Sequence, residues 1–263
     1  TEFLGNTIDS IALEKAGVMR PFKTCIYAQE KPPAALLKYA KNKSVNLLIH
    51  NNDYRVNLGS SNWSLKSKHN SINEIPNLKM IGDYQYNYAA ASLLALDALL
   101  PECLEDHDVI KKALSETEIS GRFQYLSKSP DIILDVAHNE DAAKSLSDNI
   151  KKIGYDKIIV VLGVLADKDV YSIVEPFSSL VDHWYIGTIN SERGMNSDEI
   201  KFRINSIYKN KLSIGTYASV TSAFNAAKYD QMKDSLLLVY GSFYTVSEAL
   251  KAHLLENKKD NAI

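Results

Sequence analysis

Glycine is scarce in this 263-residue chain: there are 11, no two are spaced G-x-G, and none is followed by lysine. Neither a dinucleotide fingerprint nor a phosphate-cradling P-loop can be built from them, so any nucleotide must be held some other way. Cysteine is scarcer, and Cys25 and Cys103 have no second-pair spacing and no nearby histidine cluster. The pattern reads as two reduced thiols of a cytoplasmic protein, packed as ordinary core residues. Long apolar runs are missing, since 89–96 and 160–166 fall well short of the roughly 20 residues that span a bilayer. An excess of one charge is missing too: 30 Lys and Arg against 32 Asp and Glu give a net charge of −2. That balance excludes a dedicated nucleic-acid binder and points to small-molecule partners. The start, Thr1-Glu2-Phe3-Leu4-Gly5, has no Met, basic segment or apolar segment, and reads as cut rather than processed.

What remains is a globular composition, 45% hydrophobic and 24% charged, long enough for one large or two ordinary domains. Residues 6–16 read as a helix capped by Asn6 or Thr7, with Ile8, Ile11 and Ala12 as its apolar stripe and Gly17 as its end. A strand near 24–28, a helix after Pro32-Pro33 and a strand at 45–50 follow. Within 51–80, Tyr54, Val56, Leu58, Trp63 and Leu65 alternate with polar neighbours, as short antiparallel strands do. Helices are expected at about 86–100 and 106–115. From about residue 120, β-branched runs at 132–136, 158–164, 184–188, 236–240 and, more weakly, 212–217 alternate with helical patterns. Runs without period-2 alternation suit a parallel sheet covered on both faces, so the fold class is α/β, in domains 1–118 and 119–263.

Several residues could carry chemistry. Lys15 falls seven residues after Ile8 and so shares the predicted stripe; it either snorkels or is a buried amine available for reaction. Asp135-Val136-Ala137-His138-Asn139 sits at a strand's carboxyl end, the edge where open α/β sheets bind ligands. There Asp135 suits ribose hydroxyls and His138 a developing anion, while Asn139 reads as a helix N-cap. Arg122, at the domain junction, suits phosphate or carboxylate oxygens, or an interdomain salt bridge. Asn87 either caps a helix or pairs with a purine edge, with the cap favoured. Asp167-Lys168-Asp169 reads as a solvated turn, and Ser242 as an N-cap because G-x-S-x-G is absent.

In this order, Leu4-Gly5, Glu14-Lys15-Ala16-Gly17, Gly121-Arg122-Phe123-Gln124, Asp135-Val136-Ala137-His138-Asn139, Leu165-Ala166-Asp167-Lys168-Asp169 and Gly241-Ser242-Phe243 resemble the folylpolyglutamate synthases. The match is to the bifunctional dihydrofolate synthase/folylpolyglutamate synthase branch of the Mur ligase superfamily. The resemblance implies the tail of a central ATPase domain followed by a Rossmann-like C-terminal domain. It implies ATP and Mg2+ as cofactors, and L-glutamate, dihydropteroate and folates as substrates of a monomer. It assigns Lys15 to carbamylation beside the metal, Asn87, Arg122 and Asp135 to ATP, and His138 to the transferred phosphoryl and incoming glutamate. The family's P-loop, magnesium-binding Glu and metal-binding His have no counterpart here, so this chain is expected to turn over little or nothing alone. A non-catalytic nucleotide- or glutamate-binding module and a cell-wall amino-acid ligase are the competing readings.

Overall fold

The computed structural model describes residues 7–68, 70–209 and 211–260, side chains from 257 onward excepted. Leu4-Gly5 and the predicted cap Asn6 lie outside the described residues. The chain divides into two compact units, Thr1–Thr117 and Glu118–Ile263.

In the first unit, α1 (Ile8–Ala16) starts on a capping box in which the Thr7 hydroxyl accepts the Ser10 N–H. A two-stranded parallel sheet pairs β1 (Thr24–Tyr27) with β2 (Asn46–Ile49), joined through α2 (Ala34–Asn42). None of those strand residues is fully buried. The polar stretch that follows is an antiparallel meander of β3 (Tyr54–Leu58), β4 (Asn62–Ser67) and β5 (Ser71–Pro76). Its inward residues Trp63, Leu65, Ile72 and Ile75 pack on Ala90, Leu93 and Leu94 of α3 (Tyr84–Leu99). A 3-10 turn at Pro101–Leu104 and α4 (His107–Glu116) complete the unit.

Two expectations for this unit need correction. The buried stripe of α1 is Ala12 and Ala16, continued by Met19 beyond the helix, packed on Leu36 and Ala40 of α2. Ile8 is 76% exposed, and Lys15, on the Ile8 side of the helix, is exposed with it. The i, i+4 alanines win that face because their small side chains let α1 and α2 approach closely, which an Ile8-centred stripe would prevent. Cys103 is exposed and Cys25 half-buried, so neither is a fully buried core residue.

The second unit has a six-stranded sheet in the order β10-β9-β8-β11-β7-β6. Its strands are β6 (Gln124–Lys128), β7 (Asp131–Leu134), β8 (Ile158–Leu162), β9 (His183–Gly187), β10 (Ile214–Tyr217) and β11 (Leu236–Tyr240). Every pairing is parallel except the β6–β7 hairpin. Intervening helices are α5 (Glu140–Ile153), α6 (Val170–Val174), α7 (Ser197–Tyr208), α8 (Val220–Asp230) and α9 (Phe243–Asp260). Leu237 and Val239 face Phe224 of α8 and Val246 of α9 in one apolar cluster. On the other face the Tyr240 ring packs on Phe177, and its hydroxyl donates to the Ile173 carbonyl of α6. Both faces of the central strands are thus covered, which is why β8 and β11 lack an alternating pattern. Among the described residues no helix is long and apolar enough to cross a membrane.

Candidate functional site

The second unit's carboxyl edge is organised around one buried carboxylate. Asp135 follows β7 and continues its ladder, its N–H donating to the Val239 carbonyl at 2.9 Å. Asp135 as a whole is 5% exposed. One oxygen accepts the Phe123 N–H and the other the Ala137 N–H, each at 2.8 Å. The Val136 N–H donates to the Gly121 carbonyl, and the Gln124 side chain accepts the Gly121 N–H. The Gly121-Arg122-Phe123 turn is thereby tied to the Asp135 turn by two bonds, Val136 N–H to the Gly121 carbonyl and Phe123 N–H to the Asp135 carboxylate.

That turn is conformationally costly. Gly121 has φ +72°, and a Cβ there would meet Val136 at 2.8 Å. Phe123, a buried bulky residue, has φ +45°, which costs energy of order 1–3 kcal/mol in such a residue. The Phe123 N–H bond into Asp135 holds this strained backbone in place. Burial pushes the Asp135 carboxyl above its ordinary range, opposed by the Phe123 and Ala137 N–H groups and by the nearby Arg122 and His138 side chains.

Arg122 projects from this turn half-buried. Its guanidinium carbon lies 6.0 Å from the centroid of the Phe243 ring, and among the described residues no hydrogen bond or ion pair engages its donors. The His138 Nδ1–H donates to the Val136 carbonyl at 2.9 Å, since a carbonyl can only accept; Nε2 is left for a ligand. The structure brings Arg122, Asp135 and His138 together in one unit.

The neighbouring motif residues are structural. Asn139 caps α5 by accepting the Ala142 N–H at 3.0 Å, as its type predicts, with Glu140 and Asp141 in the first turn. Ser242 caps α9 by accepting the Thr245 N–H, and the Thr245 hydroxyl donates to the Gly163 carbonyl. Asp167 is bound by Arg193 at 2.9 Å and Lys168 at 3.2 Å, and Asp169 caps α6. Partial burial raises the Asp167 pKa, but the two cations outweigh it and the net shift is downward.

The remaining candidates lie in the first unit. Lys15 is an exposed amine in the last turn of α1. Asn87 does not cap α3; Asp83 occupies that position, and Asn87 sits one turn inside. The cap expectation fails because the helix begins three residues earlier than Asn87. Its half-buried amide makes no hydrogen bond among the described residues. Phe243, whose ring lies beside Arg122 and His138, is left without a role by the sequence. Its signal is a large aromatic directly after a Gly-Ser turn at a strand's carboxyl end.

Residues 121–243 match the model of the Mur ligase glutamate ligase domain. Over 257 residues the chain is 30% identical to the dihydrofolate synthase/folylpolyglutamate synthase of Escherichia coli K12, covering 97% of this chain and 57% of that protein. The chain therefore spans a little under three fifths of the length of this curated relative. E. coli FolC in complex with DHPP and ADP superposes with a TM-score of 0.84 at 29% identity, covering 100% of this chain and 59% of that one. The bifunctional enzyme of Yersinia pestis, complexed with AMPPNP and Mn ion, gives a TM-score of 0.82 at 27% identity, covering 98% and 58%. Residues 121–243 are thus similar to a Mur ligase glutamate ligase domain, and the chain as a whole is similar to part of the bacterial dihydrofolate synthase/folylpolyglutamate synthases.

Proposed function

We propose that this chain is the nucleotide- and glutamate-handling part of a cytoplasmic, monomeric, ATP-dependent ligase that joins L-glutamate to dihydropteroate, to a folate, or to both. The observation that carries it is the Asp135 carboxylate. It is held by two backbone N–H groups beside a guanidinium with no hydrogen-bond or ion-pair partner among the described residues and an imidazole with one open nitrogen. A cation and a hydrogen-bonding anion side by side at a parallel sheet's carboxyl edge suit a nucleotide's phosphate and ribose. The E. coli relative with ADP and the Y. pestis relative with AMPPNP support that reading.

In this reading ATP phosphorylates the substrate carboxylate, the glutamate amine attacks the acyl phosphate, and phosphate leaves as the amine loses a proton. Arg122 offers five N–H donors to phosphate oxygens, and charge neutralisation there lowers the barrier without proton transfer. Asp135 fixes the Arg122 turn and presents acceptor lone pairs to hydroxyls. His138, anchored through Nδ1, presents Nε2 toward the phosphoryl and the incoming glutamate. Asn87 in the first unit is assigned to a purine edge, its amide being free to donate and accept.

The first unit is read as the remainder of a central ATPase domain. A parallel sheet of two half-exposed strands supports this, because parallel strands are normally covered on both faces. Among the described residues no group of three or more His, Cys, Asp or Glu comes together as a metal site. These residues do not by themselves fit a magnesium ion. Lys15 is assigned to the metal only as a carbamate; one added CO2 on Lys15 in the intact mass of the complete protein supports this, and an unmodified amine opposes it.

The test is phosphate release by the 263-residue chain with ATP, L-glutamate and dihydropteroate or tetrahydrofolate. Little or no turnover together with saturable ADP binding is expected. Robust turnover would overturn the part-enzyme reading, and turnover only with a nucleotide-linked muramyl acceptor would favour a cell-wall ligase.

A further inference from the structure

Arg122 and His138 lean on the same ring. The Arg122 guanidinium carbon is 6.0 Å from the Phe243 centroid, and the His138 ring centroid is 6.2 Å from it at an interplanar angle of 48°. Phe243 is 60% exposed, although its neighbours Gly241, Ser242 and Thr245 are buried. An apolar ring kept at the surface beside a guanidinium and an imidazole has a use other than core packing.

Its placement is fixed from behind. Gly241 has φ +115°, and a Cβ there would lie 2.4 Å from the Gly163 carbonyl oxygen, so only glycine lets β11 turn this tightly into α9. Ser242 and Thr245 then lock the first turn of α9 onto Gly163. Phe243 is therefore presented by a rigid backbone. Arg122, by contrast, makes no hydrogen bond or ion pair among the described residues, and His138 is anchored only along its Nδ1 edge. A π face holds a guanidinium electrostatically while leaving all its donors for a ligand, which an Asp or Glu partner would not.

We propose that Phe243 is a positioning residue: its ring holds the Arg122 guanidinium and the His138 imidazole in fixed orientation without consuming a polar atom of either. The inference rests on the assignment of Arg122 and His138 to the ligand site. It extends that assignment to a residue with no polar chemistry of its own.

The test compares Phe243→Leu and Phe243→Tyr in the full chain by two measurements. In calorimetry with ADP, Phe243→Leu is expected to weaken binding roughly three- to tenfold, and Phe243→Tyr to stay within about twofold. In 15N relaxation of the ligand-free chain, the Arg122 Nε–H is expected to become more mobile in Phe243→Leu and not in Phe243→Tyr. Thermal unfolding should be the same for both, as befits an exposed position. The proposal is overturned if Phe243→Leu binds ADP and orders Arg122 like the unaltered chain, or if Phe243→Tyr behaves like Phe243→Leu. If the unaltered chain binds no ADP, the nucleotide reading fails, and Arg122 mobility alone decides whether Phe243 positions it.

Discussion

At Asp135 a carboxylate accepts from two backbone N–H groups that would otherwise be orphaned. Asp135→Asn keeps the shape but turns an NH2 toward either Phe123 N–H or Ala137 N–H, leaving one donor unpaired. Unit stability is expected to fall by about 1–3 kcal/mol in denaturant titration, with ADP affinity lower by about tenfold or more. A second residue-level prediction concerns pH. Burial holds the His183 pKa below its usual 6.5, against the opposing charge of Asp230. The unfolded chain therefore takes up its proton first. The contribution is fully present above pH 6.5 and is lost as pH falls through the folded value. Denaturation midpoints should drop less steeply on acidification in His183→Gln than in the parent. Lys15 marks where residue-level reading falls short: the seven-residue spacing from Ile8 is real, but spacing cannot say which side of a helix meets its neighbour. The Ala12-Ala16 pair, small enough for close helix contact, takes the inner face.

At the scale of elements, local chemistry is the most legible. Thr7, Asn139 and Ser242 are helix caps because their side chains accept N–H bonds that the first turn leaves unmade. Asn139→Ala should accordingly lower the melting temperature by roughly 2–4 °C, for a cap worth about 1 kcal/mol. ADP affinity should not change, which separates the cap from a ligand contact. Gly241→Ala should cost about 2–3 kcal/mol, because it combines a left-handed φ with a Cβ against the Gly163 carbonyl. The buried strands β8 and β11 were legible as unbroken apolar runs. β6 was not: its residues Gln-Tyr-Leu-Ser-Lys are only half-buried at the sheet's edge, so neither an apolar run nor a clean alternation marks them. The start of α3 is not legible because Asp83 and Asn87 are both plausible starts, and the tertiary packing of Gln85 and Ala89 chooses between them.

At the scale of the molecule, the second unit has its own two-faced core and is expected to fold without the first. A chain of residues 118–263 should unfold cooperatively on heating and keep the Phe123 and Ala137 amides protected from exchange. That Arg122, Asp135 and His138 gather at one sheet edge agrees with the order of their motifs. How they are held was not legible in the sequence, because the positive φ of Phe123, the two bonds into Asp135 and the ring of Phe243 are all long-range consequences of folding. Scarcity of glycine excluded a P-loop among these residues, so the nucleotide reading stands on the Asp135 edge. Calorimetric titration of the full chain with ADP addresses it directly. Saturable binding that falls about tenfold or more in both Arg122→Ala and Asp135→Asn is expected; no binding, or binding indifferent to both substitutions, would contradict it.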